Sequence, residues 1–260
     1  MECIAVDWSG AATGAAQHIW VARATGGVLH ALYPPGSRAA VLQFLLDRRL
    51  ESAPCVVGLD FAFAFPAWFA AERGWRDGPA QWAAVRDDGE RWLRDCAPPF
   101  WGRPGRPRPH AAPDGLRDCE RRQVPGARSV FQIGGAGSVG TGSIRGMPML
   151  LTLRTAGWSV WPFDPAGTHT VAEIYPRCFT GAVVKRSGTA RAAHLARHFP
   201  EQARDLCALM CGSEDAFDAG VSAIAMSRGA VQETLQAPRD ASLRLEGAIL
   251  MPPVSAGRGR

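Results

Sequence analysis

The sequence predicts an α/β fold, a mixed sheet opening β-β-β-α-β, flanked by helices and interrupted by a helical and loop insertion. Three observations carry this. Three short apolar runs are separated by glycine-bearing or tight turns, a stretch with helical spacing then leads into a continuous apolar strand, and strand and helix patterns alternate again after residue 128.

The first run, Cys3-Ile4-Ala5-Val6, ends in Asp7-Trp8-Ser9-Gly10; a second run covers 18–22 and a third covers 28–33 behind Gly26-Gly27. Together they read as a meander of three strands. Ser37 reads as the cap of a helix carrying Val41, Leu42, Leu45 and Leu46 on one face, and 54–60 reads as a buried strand. An insertion at about 61–128 follows, with short Trp- and Arg-bearing helical pieces and then a Pro/Arg/Gly-rich stretch at 98–110. Prolines lack an amide donor and bias the residue before them to extended conformations, so this stretch is expected to be a mobile basic segment. A strand at 129–133, a Gly-rich turn, a helix over 148–155 and strands near 159–161 and 171–175 restore the alternation. Helices over 190–199 and 213–227 and a late strand over 243–251 complete one domain, 1–260, without an internal repeat.

Composition narrows the class further. Hydrophobic residues make up 47% and charged residues 20%, so the chain as a whole is neither disordered nor fibrous. No apolar run reaches the roughly 20 residues that span a bilayer, and the first residues lack a basic leader, so a cytoplasmic protein without a membrane partner is expected. Seven scattered cysteines without a C-x-x-C pair read as reduced thiols. The net charge is +5, and Lys185 is the only lysine, so the positive charge is almost wholly arginine. Such a balance permits a nucleic-acid partner without requiring one.

The informative oddity is where acids fall. Asp7, Asp60 and Glu173 sit in or at the end of apolar strand patterns, where a lone ionised carboxylate is expensive to bury. Strands of an α/β sheet converge at one edge, so acids far apart in sequence can meet there. Asp215 and Asp218 lie three apart on one helical face; Asp215 is also a first-turn acid behind the Ser213 cap, whereas Asp218 is aligned with Val221 and Ala225 and points to the core. Carboxylates gathered in one crevice repel unless cations sit among them, and oxygen-only ligation suits Mg²⁺ or Mn²⁺. The plainer alternative is a set of ion pairs with Arg177, Arg186 and others.

The β-β-β-α-β order, Val171-Ala172-Glu173-Ile174-Tyr175-Pro176-Arg177 and Asp215-Ala216-Phe217-Asp218-Ala219 opening a late helix together resemble the ribonuclease-H-like superfamily. Over roughly 2–228, the chain is most similar to an uncharacterised bacterial family of predicted RNase-H-like nucleases, and remotely to Holliday-junction resolvases; Gly58-Leu59-Asp60-Phe61-Ala62-Phe63-Ala64-Phe65-Pro66 and the Gly/Ser/Thr segment at 137–146 belong to the match. The resemblance implies an RNase-H-like fold and a Mg²⁺- or Mn²⁺-dependent nuclease acting on DNA or RNA. Asp7, Asp60 and Asp218 would be metal ligands, and Glu173 and Asp215 a further ligand or a water-orienting base. Arg145, Lys185, Arg186, Arg103, Arg106 and Arg108 are expected to hold the nucleic-acid backbone. Two rivals are a nucleotide-dependent phosphotransferase of the actin and sugar-kinase kind, which needs a second β-β-β-α-β half, and a non-catalytic nucleic-acid-binding relative.

Smaller signals point elsewhere and are weaker. Gly135-Ala136-Gly137-Ser138-Val139-Gly140 matches G-x-G-x-x-G, with Asp164 further on, but glycines and Pro148 continue where a dinucleotide-binding helix would be established. It reads better as a loop whose amides and Arg145 meet a phosphate. No Gly-Lys-Ser/Thr ending is present, so a P-loop is excluded. His194 and His198 are four apart, but Leu195 stands where a zinc protease carries Glu, and Ser9 lacks a G-x-S-x-G elbow. Trp68, Trp75, Trp82, Trp92 and Trp101 read chiefly as packing of the insertion.

Overall fold

In a computed structural model describing residues 1–109, 114–229, 231–236 and 243–252, strand β1 (Glu2–Asp7) is buried on both faces. Successive side chains of a strand alternate, so Ile4 and Val6 enter one hydrophobic core and Cys3 and Ala5 the other. Strands β2 (Trp20–Thr25) and β3 (Val28–Tyr33) continue antiparallel from β1; β2 begins two residues later than its apolar run suggests. Helix α1 (Arg38–Arg49) starts at Ser37, whose hydroxyl accepts from the Ala40 amide at 3.0 Å. Its crossover brings β4 (Cys55–Leu59) beside β1 in parallel.

The insertion is more ordered than its sequence suggests. It contains α2 (Ala67–Glu72), a long α3 (Gly78–Asp95) capped by Asp77, and α4 (Asp118–Gln123). The buried residues Trp82, Val85, Gly89, Trp92 and Leu93 form one stripe of α3. Phe65, Phe69, Trp92, Phe100 and Phe131 pack edge-on or stacked in an aromatic core beneath it. The start of the 98–110 stretch is therefore held rather than loose: Phe100 is buried, and the Trp101 and Ile133 amides bond the Phe131 and Trp101 carbonyls. His110 and residues 111–113 lie outside the described residues.

The expected strand at 129–133 is a turn with an isolated bridge from Gln132 to Trp101. The expected helix at 148–155 is the second half of α5 (Gly140–Thr155), which begins inside the Gly-rich segment and carries Pro148 internally. Glycines permit contacts there that any side chain would block. A Cβ on Gly10 would come within 2.2 Å of the Gly142 amide nitrogen, and one on Gly146 within 2.7 Å of the Phe61 ring.

Strands β5 (Ser159–Trp161) and β6 (His169–Glu173) add in parallel, giving one six-stranded mixed sheet in the order β3-β2-β1-β4-β6-β5. Helices α6 (Pro176–Thr180), α7 (Gly188–His198), α8 (Arg204–Gly212) and α9 (Glu214–Ser227) follow, and α9 packs on β1 and β2. Gly58 lets this layer approach, since a Cβ there would lie 2.6 Å from Ile174 and 3.0 Å from Met226. The expected late strand at 243–251 is instead a helical turn, Leu243–Glu246, followed by a single parallel bridge between Ile249 and Glu173.

Candidate active site

The three neighbouring parallel strands bring their C-terminal ends to one edge, with Val6 opposite Leu59 and Leu59 opposite Glu173. Asp7 and Asp60 each lie one residue beyond this row, on the face that carries Cys3, Ala5 and Val56, against which α9 packs. Glu173 is in the row itself and shares its face with Val171, so it turns to the opposite side of the sheet. The register thus turns Glu173 away from α9, although its charge still raises Asp60 and both residues line one cleft.

On the α9 face, Asp7 is 8% exposed and Asp218 9%. Burial first, and then the charges of Asp60, Asp218 and Asp215, hold the Asp7 carboxyl well above the usual carboxylate range, while Lys185 pulls it down. Burial and the Asp218 charge do the same to Asp60. Asp218 is raised by burial and lowered by Lys185, whose ammonium hydrogen-bonds its Oδ2. Asp218 Oδ1 is buried without a donor. Asp215, one turn earlier, accepts from His18 Nδ1 at 2.9 Å. Asp7, Asp60, Asp215, Asp218 and Lys185 are therefore brought together electrostatically. As they stand, no three His, Cys, Asp or Glu side chains among the described residues are grouped closely enough to ligate one ion.

On the other face, Arg117 is fully buried and donates from Nη1 to Glu173 Oε2 at 2.7 Å and from Nη2 to Glu120 at 2.7 Å. The Phe63 amide also bonds Glu173 at 2.9 Å. Glu173 is thus a buried ion-pair partner of Arg117 whose charge also acts on Asp60. Nothing in the sequence separates Arg117 from the many other arginines, apart from the Arg117-to-Glu120 capping pattern that opens α4.

A cleft of about 400 Å³ at the strand ends is lined by Trp8, Asp60, Arg128, Ser138, Thr141 and Gly142 among others. No side chain caps α5; the Gly140 amide bonds the Gln132 carbonyl, and Val139, Thr141 and Gly142 at the start of the helix line the cleft. Arg145 pairs with Glu90 at 2.7 and 2.9 Å and bonds the Gly10 carbonyl, bracing the loop after β1. Arg186 is exposed; Arg103, Arg106 and Arg108 are exposed around a second cavity of about 590 Å³ beside Trp101. Asp164 pairs with Arg154 at the end of α5, which leaves no ribose-binding acid for a dinucleotide. His194 and His198 stack on each other at 4.6 Å on the surface of α7. All seven cysteines are free thiols, and burial pushes Cys3 up to about 12 and Cys55 up to about 11.

The raised carboxyls fix the direction of a pH effect. Each binds its proton more tightly in the folded chain than in the unfolded one, so metal-free stability falls as pH rises from about 4 through the raised values. Above them the penalty is complete. Asp7→Asn should flatten this fall in thermal melts across acid to neutral pH; a slope equal to that of the parent chain would take Asp7 out of the coupled set.

Fold and site define an α/β protein with a mixed sheet whose parallel strand ends and last long helix share an acidic site. No protein-family model, curated protein or solved structure matches the chain. Among the described residues, no helix is long and apolar enough to cross a membrane.

Proposed function

We propose that the chain is an RNase-H-like, divalent-metal-dependent nuclease that hydrolyses phosphodiester bonds in DNA or RNA. The observation that carries this reading is the convergence of Asp7, Asp60 and Asp218 from β1, β4 and α9 on one face of a sheet ordered β3-β2-β1-β4-β6-β5. The donor set fits a hard cation: it is all oxygen, the Asp7 and Asp60 carboxylates accept no hydrogen bond among the described residues, and one Asp218 oxygen is buried without a partner. Mg²⁺ or Mn²⁺ held there would supply an activated water and neutralise charge on the scissile phosphate.

The chain's own groups account for the rest. Asp7, Asp60 and Asp218 would hold the ion. Asp215, hydrogen-bonded by His18, would orient water at the rim. The uncapped first turn of α5, with Ser138, Thr141 and Arg128 beside it, suits a backbone phosphate. Glu173 and Arg145 stabilise the frame through Arg117 and Glu90.

The test is a cleavage panel of single-stranded, duplex, hybrid and branched substrates in Mg²⁺ and in Mn²⁺. Cleavage that EDTA abolishes is expected; binding without cleavage on every substrate would assign a non-catalytic role. In the same titrations, replacing Arg103, Arg106 and Arg108 by alanine should weaken binding and shallow the slope of log K against log salt by about 0.7–0.9 per lost contact. An unchanged slope would remove this loop from the interface.

A further inference from the structure

Lys185 is the only lysine in the chain, and it lies inside the acidic site with its ammonium on Asp218. Its side chain is 23% exposed, and its ammonium hydrogen-bonds Asp218 Oδ2. Its backbone is fixed. Arg191 is 5% exposed and donates to the carbonyls of Lys185, Met210 and Cys211, which ties the Lys185 turn to the corner between α8 and α9. The main chain is therefore clamped to the C-terminal end of α8, and a flexible four-carbon stem reaches from there to Asp218 on the next helix.

The charges around it can be counted. Glu173 is neutralised by Arg117 on the opposite face, Asp215 is hydrogen-bonded by His18, and Asp218 is paired with Lys185. Asp7 and Asp60 remain, and neither accepts a hydrogen bond among the described residues although Asp7 is 8% exposed. When ionised, these two carboxylates match the charge of a single divalent ion.

We propose that Lys185 is the built-in monocation of this site, holding one oxygen of Asp218 so that the acidic pocket takes a single divalent ion, on Asp7, Asp60 and the other Asp218 oxygen, and competing with any further cation. The inference rests on the metal-dependent reading above and deepens it. A compact ammonium on a flexible stem suits the task, because it neutralises a carboxylate without adding ligands and can move aside when a harder cation takes its oxygen. It also accounts for the absence, among the described residues, of three acids already grouped for one ion: in this arrangement the ammonium holds Asp218.

The test is calorimetric titration of the full chain with Mn²⁺ alone, on the parent protein and on Lys185→Met, Lys185→Arg and Asp7→Asn. The parent is expected to bind one ion per chain. Lys185→Met removes the charge at similar length and should bind Mn²⁺ about tenfold more tightly or take up a second ion, because the attraction of Asp7, Asp60 and Asp218 is no longer offset. Lys185→Arg should behave like the parent, and Asp7→Asn should lose most of the binding. Without metal, Lys185→Met should melt at a lower temperature than the parent, and Mn²⁺ should close the gap; if it does not fold, Lys185→Gln serves in its place. Binding of two ions by the parent, or Mn²⁺ affinity and stoichiometry indifferent to residue 185, would overturn the counter-ion role and leave the nuclease reading standing. No Mn²⁺ uptake by any of the proteins would overturn the metal reading and this role with it.

Discussion

Replacing Arg117 by alanine is expected to destabilise the fold by about 3–5 kcal/mol, the cost of breaking a buried ion pair from one side. The guanidinium is fully buried and satisfies Glu173, Glu120 and the Glu246 carbonyl at once. Alanine would leave two carboxylates in an apolar setting, where Glu173 is already pushed upward by burial and held down chiefly by Arg117. Urea unfolding at neutral pH measures the loss. Because the stranded acids can take up protons, the deficit should shrink as pH falls, and Glu173→Gln in the Arg117→Ala background should recover part of it. A loss below about 1 kcal/mol, within the range of an exposed pair, would mean that water reaches the network.

The second large effect concerns Asp218. Asp218→Asn is expected to lower metal-dependent cleavage by about a thousandfold or more, some 4 kcal/mol of transition-state stabilisation. Nucleic-acid binding should stay unchanged or tighten slightly, since one negative charge near the phosphates is gone. Single-turnover cleavage with separate binding titrations distinguishes the two. Equal loss of binding and rate would place Asp218 in the architecture of the fold rather than in its chemistry, an outcome that the packing of α9 on β1 makes worth testing.

Much of this was legible in the chain. β1 and β4 follow apolar runs because their side chains are buried over most of their length, β3 follows its run although only Leu29 and Leu32 of it are buried, and α1 and α9 begin at the serines that cap them. Asp7, Asp60 and Asp218 stood out because an acid among apolar neighbours needs a reason. Three features were hidden for physical causes. The first half of α5 is rich in glycine and reads as a loop, yet those glycines serve the approach of Gly10 and Phe61. The buried stripe of α3 is diluted by Gly89 and surrounded by charged residues, so its length was missed. The side to which Glu173 points depends on its register against Leu59, and a one-residue step reverses it. No local pattern encodes that step.

The last described segment has a temporal consequence. Glu246 accepts the Ala67 and Asp118 amides that open α2 and α4, Gln81 of α3 donates to the Leu245 carbonyl at 2.7 Å, and the Leu250 amide bonds the Glu173 carbonyl at 2.8 Å. Three helices made early in synthesis thus complete their polar partners only when a stretch far along the chain emerges, a separation of 128 between Asp118 and Glu246. On the ribosome the sheet strands can pair as they appear, but the insertion must wait with the Ala67 and Asp118 amides and the Gln81 amide group unpartnered and with Arg117 only partly enclosed. Nascent chains arrested before residue 243 should therefore be cut by protease within 61–128, and chains arrested with residue 252 outside the exit tunnel should resist.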